Sequence, residues 1–250
     1  MDITSISRDK IEAGLEHTTS SSEKSNNQTR LLFSPQKIVA ENFDSVCRAY
    51  SQIGAVDFHT VVIVESMPGK AEKKLAMPSF KTIKTQFGEI NANIKLRNDF
   101  ADEDDDFFIN DNAFDESVSL FQQLPILQCV LEDFSVLHIQ ITDERTPIIK
   151  ELATALQEIL PSRNALLVVC CDLSDRQEIN QIQNLLDEGS ISGFLNRLNR
   201  GDTDIAGIGA LAAGLLVSNK WGLSINFESD SESGIVQSGY AVVQNQPIFG

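Results

Sequence analysis

Short apolar runs alternate along this chain with segments whose apolar residues recur at helical spacing. The runs "FHTVVIVES" (58–66), "FSVLHIQIT" (134–142) and "ALLVVCCDLS" (165–174) have the length and composition of strands. Between such runs, "AENFDSVCRAYSQI" (40–53) and "PIIKELATALQEIL" (147–160) have the spacing of amphipathic helices. Alternating strands and helices build sheets that are mainly parallel. The pattern therefore predicts an α/β fold, a single domain with a central mainly parallel or mixed sheet flanked by helices.

Two stretches depart from this alternation. Residues 1–30 are polar and include the low-complexity run "TTSSSEKSNNQT", so we predict a flexible polar N-terminal tail over 1–30 and an α/β domain over 31–250. Residues 66–116 give no clear pattern of strands and helices and include a segment predicted to be irregular. They contain the acidic run "RNDFADEDDDFF", which lacks the Gly and Glu of a calcium-binding loop and is interpreted as a solvated loop.

The composition excludes several classes of partner. The formal charge of −16 over 250 residues argues against nucleic acid and against an anionic membrane surface, because both need clustered Lys and Arg. The longest apolar stretch, 205–217, is shorter than the ~20 residues of a membrane-spanning helix. No secretory signal is evident in residues 1–30, and the four cysteines have no CxxC spacing. The cytoplasm is therefore the expected location.

Polar side chains follow four of the predicted strands. Ligands of open α/β sheets bind at the carboxyl ends of the strands. Glu65, Asp172 and Asp175 could therefore gather around a hard cation such as Mg²⁺. The alternative is that strands end in polar loops whether or not anything binds there. The four polar ends are Gln36, Glu65 with Ser66, Asp143 with Glu144, and Asp172 with Asp175.

The cysteines and histidines give no further site. Cys170 and Cys171 are neighbours on a strand and point to opposite faces, so we interpret both as small buried hydrophobic residues. The histidines are His17, His59 and His138, and none has the spacing of a zinc site.

Taken in order, several short motifs resemble those of the Memo-like proteins, also called the AmmeMemoRadiSam system protein B family. This family is related in fold to the class III extradiol dioxygenases. The resemblance extends over about residues 31–243, and Pro35 and the Gln-Leu-Pro of 123–125 match the family pattern. The motifs are "LLFSPQKIV" (31–39), "VVIVESMPG" (61–69), "TQFGEI" (85–90), "SLFQQLPILQ" (119–128), "LLVVCCDLSD" (166–175), "IAG" (205–207) and "SGYAVV" (238–243).

The resemblance implies a metal site whose ligands are missing here. The family's candidate ligands are histidines of the first two motifs and a cysteine in Ala-Cys-Gly. This chain has Gln36, Pro68 (or Met67 in a shifted register) and Ala206 at those positions. A family histidine is replaced by Asp175, and another by Val118 or Glu116, while Asp172 is kept. Loss of the imidazoles and the thiolate removes the ligands that iron, copper or zinc prefer.

We therefore predict a degenerate, non-catalytic Memo-like protein that retains the fold. It would bind a protein partner or a small ligand through a vestigial pocket, no residue is assigned a catalytic role, and no cofactor is expected. The alternative is a Mg²⁺- or Mn²⁺-dependent enzyme that uses Glu65, Asp172 and Asp175 to hold a weakly bound divalent cation; a metal-dependent dioxygenase ranks third. The predicted pocket consists of Gln36, Met67, Pro68, Asp172, Asp175 and Ala206.

Overall fold

A computed structural model describes most of the chain. Two positions considered above, Glu116 and Asp175, lie outside the described residues. The described residues are 3–19, 28–54, 58–69, 74–115, 117–173, 176–188, 190–200, 203, 205–229 and 235–243.

Within the described residues, one mixed sheet of ten strands forms the centre of the molecule, which confirms the predicted single α/β domain. Its main strand order is β4-β5-β7-β2-β8-β1-β10-β9; off this path, β3 pairs with β7 and β6 pairs with β3. The four central strands β7, β2, β8 and β1 are parallel, so their carboxyl ends lie at one edge. The strands are β1 (Thr29–Ser34), β2 (Thr60–Ser66), β3 (Leu75–Met77), β4 (Thr82–Thr85), β5 (Gly88–Ala92), β6 (Phe107–Ile109), β7 (Ser135–Ile141), β8 (Ala165–Cys170), β9 (Leu223–Ser229) and β10 (Val236–Val243).

Helices cover both faces of the sheet. Side chains alternate along each strand, so Val61 and Ile63 of β2 pack under α1, α2 and α4, whereas Val62 and Val64 pack under α3, α5, α6, α7 and α8. We call the first of these the α4 face and the second the α8 face. The helices are α1 (Arg8–Thr19), α2 (Ala40–Ser51), α3 (Ile94–Glu103), α4 (Leu120–Val130), α5 (Thr146–Ile159), α6 (Arg176–Asp187), α7 (Ile191–Arg200) and α8 (Ile208–Lys220).

The N-terminal segment differs from the predicted flexible tail. Residues 3–5 form a 3₁₀ turn and residues 8–19 form α1. Ile3, Ile6 and Ile11 of this segment are buried in the core of the α4 face. These isoleucines form a short apolar stripe among polar residues. The helical periodicity of this stripe was too weak to predict a packed helix. The low-complexity positions 20–27 lie outside the described residues.

The region 66–116 contains four short strands and α3. Its strands are three to five residues long, which is too short for a clear alternation of apolar and polar residues. Helix α3 begins after Asn93, whose side-chain oxygen accepts a hydrogen bond from the Leu96 N–H at 2.9 Å. The acidic run is therefore divided between α3, a connecting loop and β6.

Candidate functional site

Hydrogen bonds join the strand ends of β1, β2 and β8. The Gln36 side-chain amide donates to the carbonyl oxygen of Ser66 at 3.1 Å. The Gln36 backbone N–H donates to the carboxylate of Asp172 at 3.3 Å. In turn, the Asp172 N–H donates to the carbonyl oxygen of Ala206 at 2.9 Å. Three of the predicted pocket residues, Gln36, Asp172 and Ala206, are thus brought together by the fold.

The turn that leads into α8 lies directly against these strand ends. Gly207 has a φ of +79°, which an L-residue rarely adopts. A β-carbon at this position would lie 2.9 Å from the carbonyl oxygen of Cys170 and 3.1 Å from the Gln36 side-chain nitrogen. The glycine therefore allows α8 to begin in close contact with β8, and it leaves no room for a side chain there.

Glu144, which follows β7, occupies the start of α8. Its carboxylate accepts a hydrogen bond from the Ser66 hydroxyl at 2.6 Å and another from the Gly209 N–H at 2.9 Å. The first N–H groups of a helix lack partners within the helix and attract negative charge. A carboxylate from the chain itself thus occupies this helix end.

Glu65 is arranged in the same way on the α4 face, but it is buried, with 1% of its surface exposed. One carboxylate oxygen accepts the N–H of Ser119, the N-cap residue of α4, at 2.7 Å. The other oxygen accepts the Gln140 side-chain amide at 3.2 Å and lies 3.1 Å from Nε2 of His138. The carboxylate therefore has a polar group of the chain against each oxygen.

These contacts keep Glu65 charged despite its burial. Burial by itself raises the pKa of a carboxyl group because it disfavours the charged form. For Glu65 this effect is outweighed by the His138 imidazole and by the hydroxyl and N–H of Ser119, so that its pKa lies below the usual 4.5. The charged form is therefore the stable form in the folded protein.

His138 and Gln140 have polar atoms without a hydrogen-bond partner among the described residues. Both side chains are buried, and within that part of the chain no group gives either ring nitrogen of His138 or Oε1 of Gln140 a hydrogen bond of acceptable geometry. The Phe114 ring packs edge-on against the imidazole, with ring centroids 5.0 Å apart. Gln140 Nε2 also lies 3.2 Å from the sulfur of Met67. Of the two register candidates, Met67 is partly buried and contacts this group, whereas Pro68 is exposed.

Sequence reasoning missed the roles of His138 and Gln140, although a signal was present. Both alternate with Val136 along β7 and so share its face. Gln140 is the register partner of Glu65 in the neighbouring strand. Three polar residues on one buried face of two adjacent strands would have indicated a polar cluster, had the register of the strands been known.

A second buried polar group anchors α4 to β1. The Gln123 side-chain oxygen accepts hydrogen bonds from the hydroxyls of Ser34 at 2.8 Å and Tyr50 at 2.6 Å. The Gln123 amide donates to the carbonyl oxygen of Pro35 at 2.9 Å. Gln123 belongs to the Gln-Leu-Pro motif noted in the sequence, so the motif fixes the helix that carries Ser119.

The family model "Memo-like protein" matches residues 6–237. The chain belongs to the Memo-like protein family. No curated protein gives a significant match. Among solved structures, an uncharacterized protein from Escherichia coli K12 (JW3007) is similar in fold, with a TM-score of 0.50 and 12% identity over 85% of this chain and 99% of that chain.

In this Memo-like protein the two cysteines at the end of β8 are buried, as interpreted from the sequence. Cys170 packs on the α4 face and Cys171 on the α8 face. Burial is the main cause that raises the pKa of each thiol, and nearby carboxylates raise it further. Neither thiol has the depressed pKa of a reactive cysteine.

Asp172 lies in a different environment from Glu65. It is half-buried and lines an open cleft of about 340 Å³. Burial raises its pKa, and the hydrogen bond from the Gln36 N–H partly offsets the rise. Four segments form the cleft: the loop after β1, the first turn of α2, the loop after β8 and the start of β10. The lining residues are Pro35, Lys37, Val39, Glu41, Asn42, Asp172, Leu173, Ile235, Val236 and Gln237.

An acidic cluster that the sequence reading did not identify lies elsewhere. Carboxylate oxygens of Asp104, Asp106 and Glu151 lie within 4.8 Å of one another. Burial and the two aspartates raise the pKa of Glu151 to about 7. Lys74 donates to Asp106 at 2.6 Å and balances part of this charge. None of the three residues belongs to the predicted hard-cation set of Glu65, Asp172 and Asp175.

Among the described helices, none combines the length and the apolar character needed to cross a bilayer.

Proposed function

We propose that this protein is a non-catalytic member of the Memo-like family that acts as a binding module. The observation that carries the proposal is the pairing of polar groups at the carboxyl edge of the sheet. Gln36, Glu65 and Glu144 all direct their side chains to other groups of the chain. A catalytic metal centre needs ligand atoms that are available to the metal and an open coordination position.

Gln36 illustrates how a metal-ligand position of the family differs in this chain. The resemblance places a histidine ligand of the family at this position. An amide donates a hydrogen bond to the Ser66 carbonyl oxygen instead. Among the other aligned positions, Ala206 offers no ligand atom in its side chain and Pro68 offers none either. Iron, copper and zinc favour imidazole and thiolate ligands, and these positions supply neither.

The alternative of a Mg²⁺- or Mn²⁺-dependent enzyme requires Glu65 to share a cation with Asp172 and Asp175. The buried contacts of Glu65 disfavour this arrangement. To bind a cation, Glu65 would have to release the Ser119 N–H at the start of α4 or the Gln140 amide. An unpaired buried polar group costs about 1–3 kcal/mol. A non-catalytic binding module requires no such change in the hydrogen bonds of Glu65.

Elemental analysis tests the proposal. The protein would be purified without chelator and its metal content measured by inductively coupled plasma mass spectrometry, with the dialysis buffer as the blank. We expect substoichiometric iron, copper and zinc. One equivalent of any of these metals, retained on dialysis, would contradict the proposal.

A titration with Mn²⁺ addresses the alternative enzyme. We expect no saturable binding that depends on the strand-end carboxylates. Saturable Mn²⁺ binding that is lost in both Glu65→Gln and Asp172→Asn, but is retained in Asp106→Asn of the separate acidic cluster, would favour the alternative.

A further inference from the structure

Strand β9 forms one end of the central sheet. Within the described part of the chain it pairs with β10 alone. The outer edge of a terminal strand presents backbone N–H and C=O groups without ladder partners, and these groups can pair with a strand of another chain. This edge is also two strands away from β1, whose end contributes to the candidate site. It is therefore a separate surface on which another chain could dock.

Strand β9 lacks the features that usually protect an edge strand. Natural edge strands are often short, or they carry a lysine or a proline that discourages pairing between molecules. At the opposite end of the sheet, β4 has four residues and includes Lys84, whose side chain is 83% exposed. Strand β9 has seven residues, "LSINFES", without lysine, arginine or proline. The edge at β9 is therefore suited to pairing in a way that the edge at β4 is not.

One face of β9 is apolar and incompletely covered. Leu223, Ile225 and Phe227 alternate along the strand and pack against the core of the α8 face, but all three are only partly buried. The Phe227 ring contacts the Phe33 ring, with centroids 5.4 Å apart. A strand added beside β9 would cover more of these side chains, and burial of apolar surface stabilises an interface by about 25 cal/mol per Å².

The other face of β9 is polar, and its one charge is already balanced. Ser224, Asn226 and Glu228 lie on this face because side chains alternate along a strand. The Glu228 carboxylate accepts a hydrogen bond from the Arg48 guanidinium at 3.2 Å. Asn226, at the middle of the strand, is exposed. No unbalanced charge on β9 therefore opposes the approach of a second strand.

The sequence of β9 is complementary to itself in one antiparallel register. Pairing centred on Asn226 joins all seven residues of the strand to those of a second copy. Ile225 then lies opposite Phe227 of the second copy, a β-branched–aromatic pair of the kind that stabilises sheets. Ser224 lies opposite Glu228 of the second copy, so no two like charges face each other. A shift of one residue would instead place apolar side chains opposite polar ones.

We propose that a second copy of this chain binds along β9, antiparallel, with a two-fold axis at Asn226. The two sheets then form one continuous sheet across the dimer. Such an interface uses the same edge of both copies, so association stops at the dimer. This inference goes beyond the proposed binding function, since it concerns a different surface and does not depend on the metal content of the protein.

Analytical ultracentrifugation of the unmodified chain tests the dimer. The concentration would run from about 5 μM to about 500 μM, because an interface made of one strand pair belongs to the small, weak class. We expect a monomer–dimer equilibrium. Two copies that each carry a charge of −16 repel one another, so the dimer should be stronger in about 0.15 M than in about 0.01 M sodium chloride. A monomer at every concentration, or association that continues beyond the dimer, would overturn the inference.

Charged variants of Asn226 test the two-fold axis. Asn226→Lys and Asn226→Asp each place two like charges directly opposite each other in the dimer, and we expect each to weaken dimerisation about fivefold or more. An equimolar mixture of the two variants pairs opposite charges and should associate at least as well as the unmodified chain. The matched controls Thr82→Lys and Thr82→Asp change an exposed residue of β4 and should dimerise as the unmodified chain does. Equal weakening in the controls, or no recovery in the mixture, would refute the assignment.

Cross-linking through an introduced cysteine tests the register. In the proposed pairing, the two β-carbons at position 226 lie about 4.5–5.5 Å apart, close to the ~3.5–4.5 Å of a disulfide. We expect Asn226→Cys to give a covalent dimer on a non-reducing gel after oxidation with copper phenanthroline. In the control Ser224→Cys the two copies of the residue are four positions out of register, about 13 Å or more apart, so it should give no more dimer than the unmodified chain. Equal cross-linking of both variants would contradict the register.

The outcomes are separable from those of the proposed function. Metal content decides whether the protein is a metal-free module, and sedimentation decides whether β9 joins two copies. If a variant fails to fold, which circular dichroism would detect, sedimentation of the unmodified chain still decides whether the dimer forms.

Discussion

At the scale of single residues, the most unusual feature is a charged carboxylate inside the α4 face. Glu65 is 1% exposed, and its partners are the Ser119 N–H, the Gln140 amide and the His138 ring. Burying a charge is costly unless hydrogen bonds and opposite charge compensate for it. The cluster therefore acts as a unit, in which removal of one member leaves the others unpaired.

Substitution of Glu65 tests this interdependence. We expect Glu65→Ala to lower the free energy of unfolding by about 3 kcal/mol or more, because it leaves the Ser119 N–H and the imidazole without the carboxylate. Urea unfolding would measure the change. The control is Glu89→Gln in the exposed pair with Lys84, whose side chains are 58% and 83% exposed. A loss for Glu65→Ala as small as the control's would contradict the prediction.

The low pKa of Glu65 predicts a pH dependence of stability. Since the folded pKa lies below the usual 4.5, the charged carboxylate stabilises the folded state fully above the unfolded pKa. This contribution is lost as the pH falls through the lower, folded pKa. We expect the difference in unfolding free energy between the parent and Glu65→Gln to shrink as the pH falls from about 7 to about 3. A difference that is constant or grows would refute the assignment.

The site residues also show which parts of the site could be predicted from the sequence and which could not. Glu65, Gln36 and Asp172 were identified because polar residues at strand ends are visible in the sequence. Their partners were not predictable. Whether Glu65 meets a cation or the start of α4 depends on how a helix some fifty residues later packs on the sheet, and no local pattern encodes that contact.

Among the helices and strands, α1 differs most from the sequence-based prediction, because it packs on the domain instead of belonging to a flexible tail. It covers the same face as α2 and α4. Ile11, on its buried side, is inaccessible to solvent. The Arg8 guanidinium lies over the Phe87 ring at 5.0 Å from the ring centroid and also donates to the Gln128 carbonyl oxygen. The helix is therefore part of the core packing.

We expect Ile11→Ala to lower the free energy of unfolding by about 2–5 kcal/mol, the usual cost of truncating a buried isoleucine. Chemical denaturation would measure it. Lys10→Ala, at the adjacent exposed position, should change stability by less than about 0.5 kcal/mol. Equal small effects would indicate that α1 does not contribute to the stability of the core.

Most long elements were predictable and most short ones were not. The predicted strand 58–66 and helix 147–160 correspond to β2 and α5 to within about two residues. Strands β3 and β6 have three residues each. Their formation depends on the pairing of β3 with both β6 and β7, which is tertiary information.

At the scale of the whole molecule, the net charge of −16 dominates the long-range electrostatics. Like charges on a compact surface repel one another and destabilise the folded state. Salt screens this repulsion, since the Debye length falls from about 30 Å at 0.01 M to about 8 Å at 0.15 M. The net charge did not enter the prediction of the fold class or the family, because both rest on the order of the motifs and on the long helices and strands.

We therefore expect the thermal midpoint to rise between about 0.01 M and 0.15 M sodium chloride. Differential scanning calorimetry at constant pH would measure it. A second series with sodium fluoride would distinguish screening from specific chloride binding. A midpoint that falls with both salts would show that favourable ion pairs outweigh the repulsion.

The two glutamates at the starts of α4 and α8 have a consequence for any attempt to rebuild a metal centre. Reintroducing histidines at positions 36 and 68 would supply imidazoles, but the polar groups around them would still be bonded to one another. A histidine at position 36 would remove the amide that binds the Ser66 carbonyl oxygen, and the carboxylates that hold Ser66, Ser119 and Gly209 would have to be replaced as well. Under the proposed function, the difference is therefore difficult to reverse one substitution at a time: a histidine at position 36 alone would lose the contact with Ser66 before any ion could compensate for it.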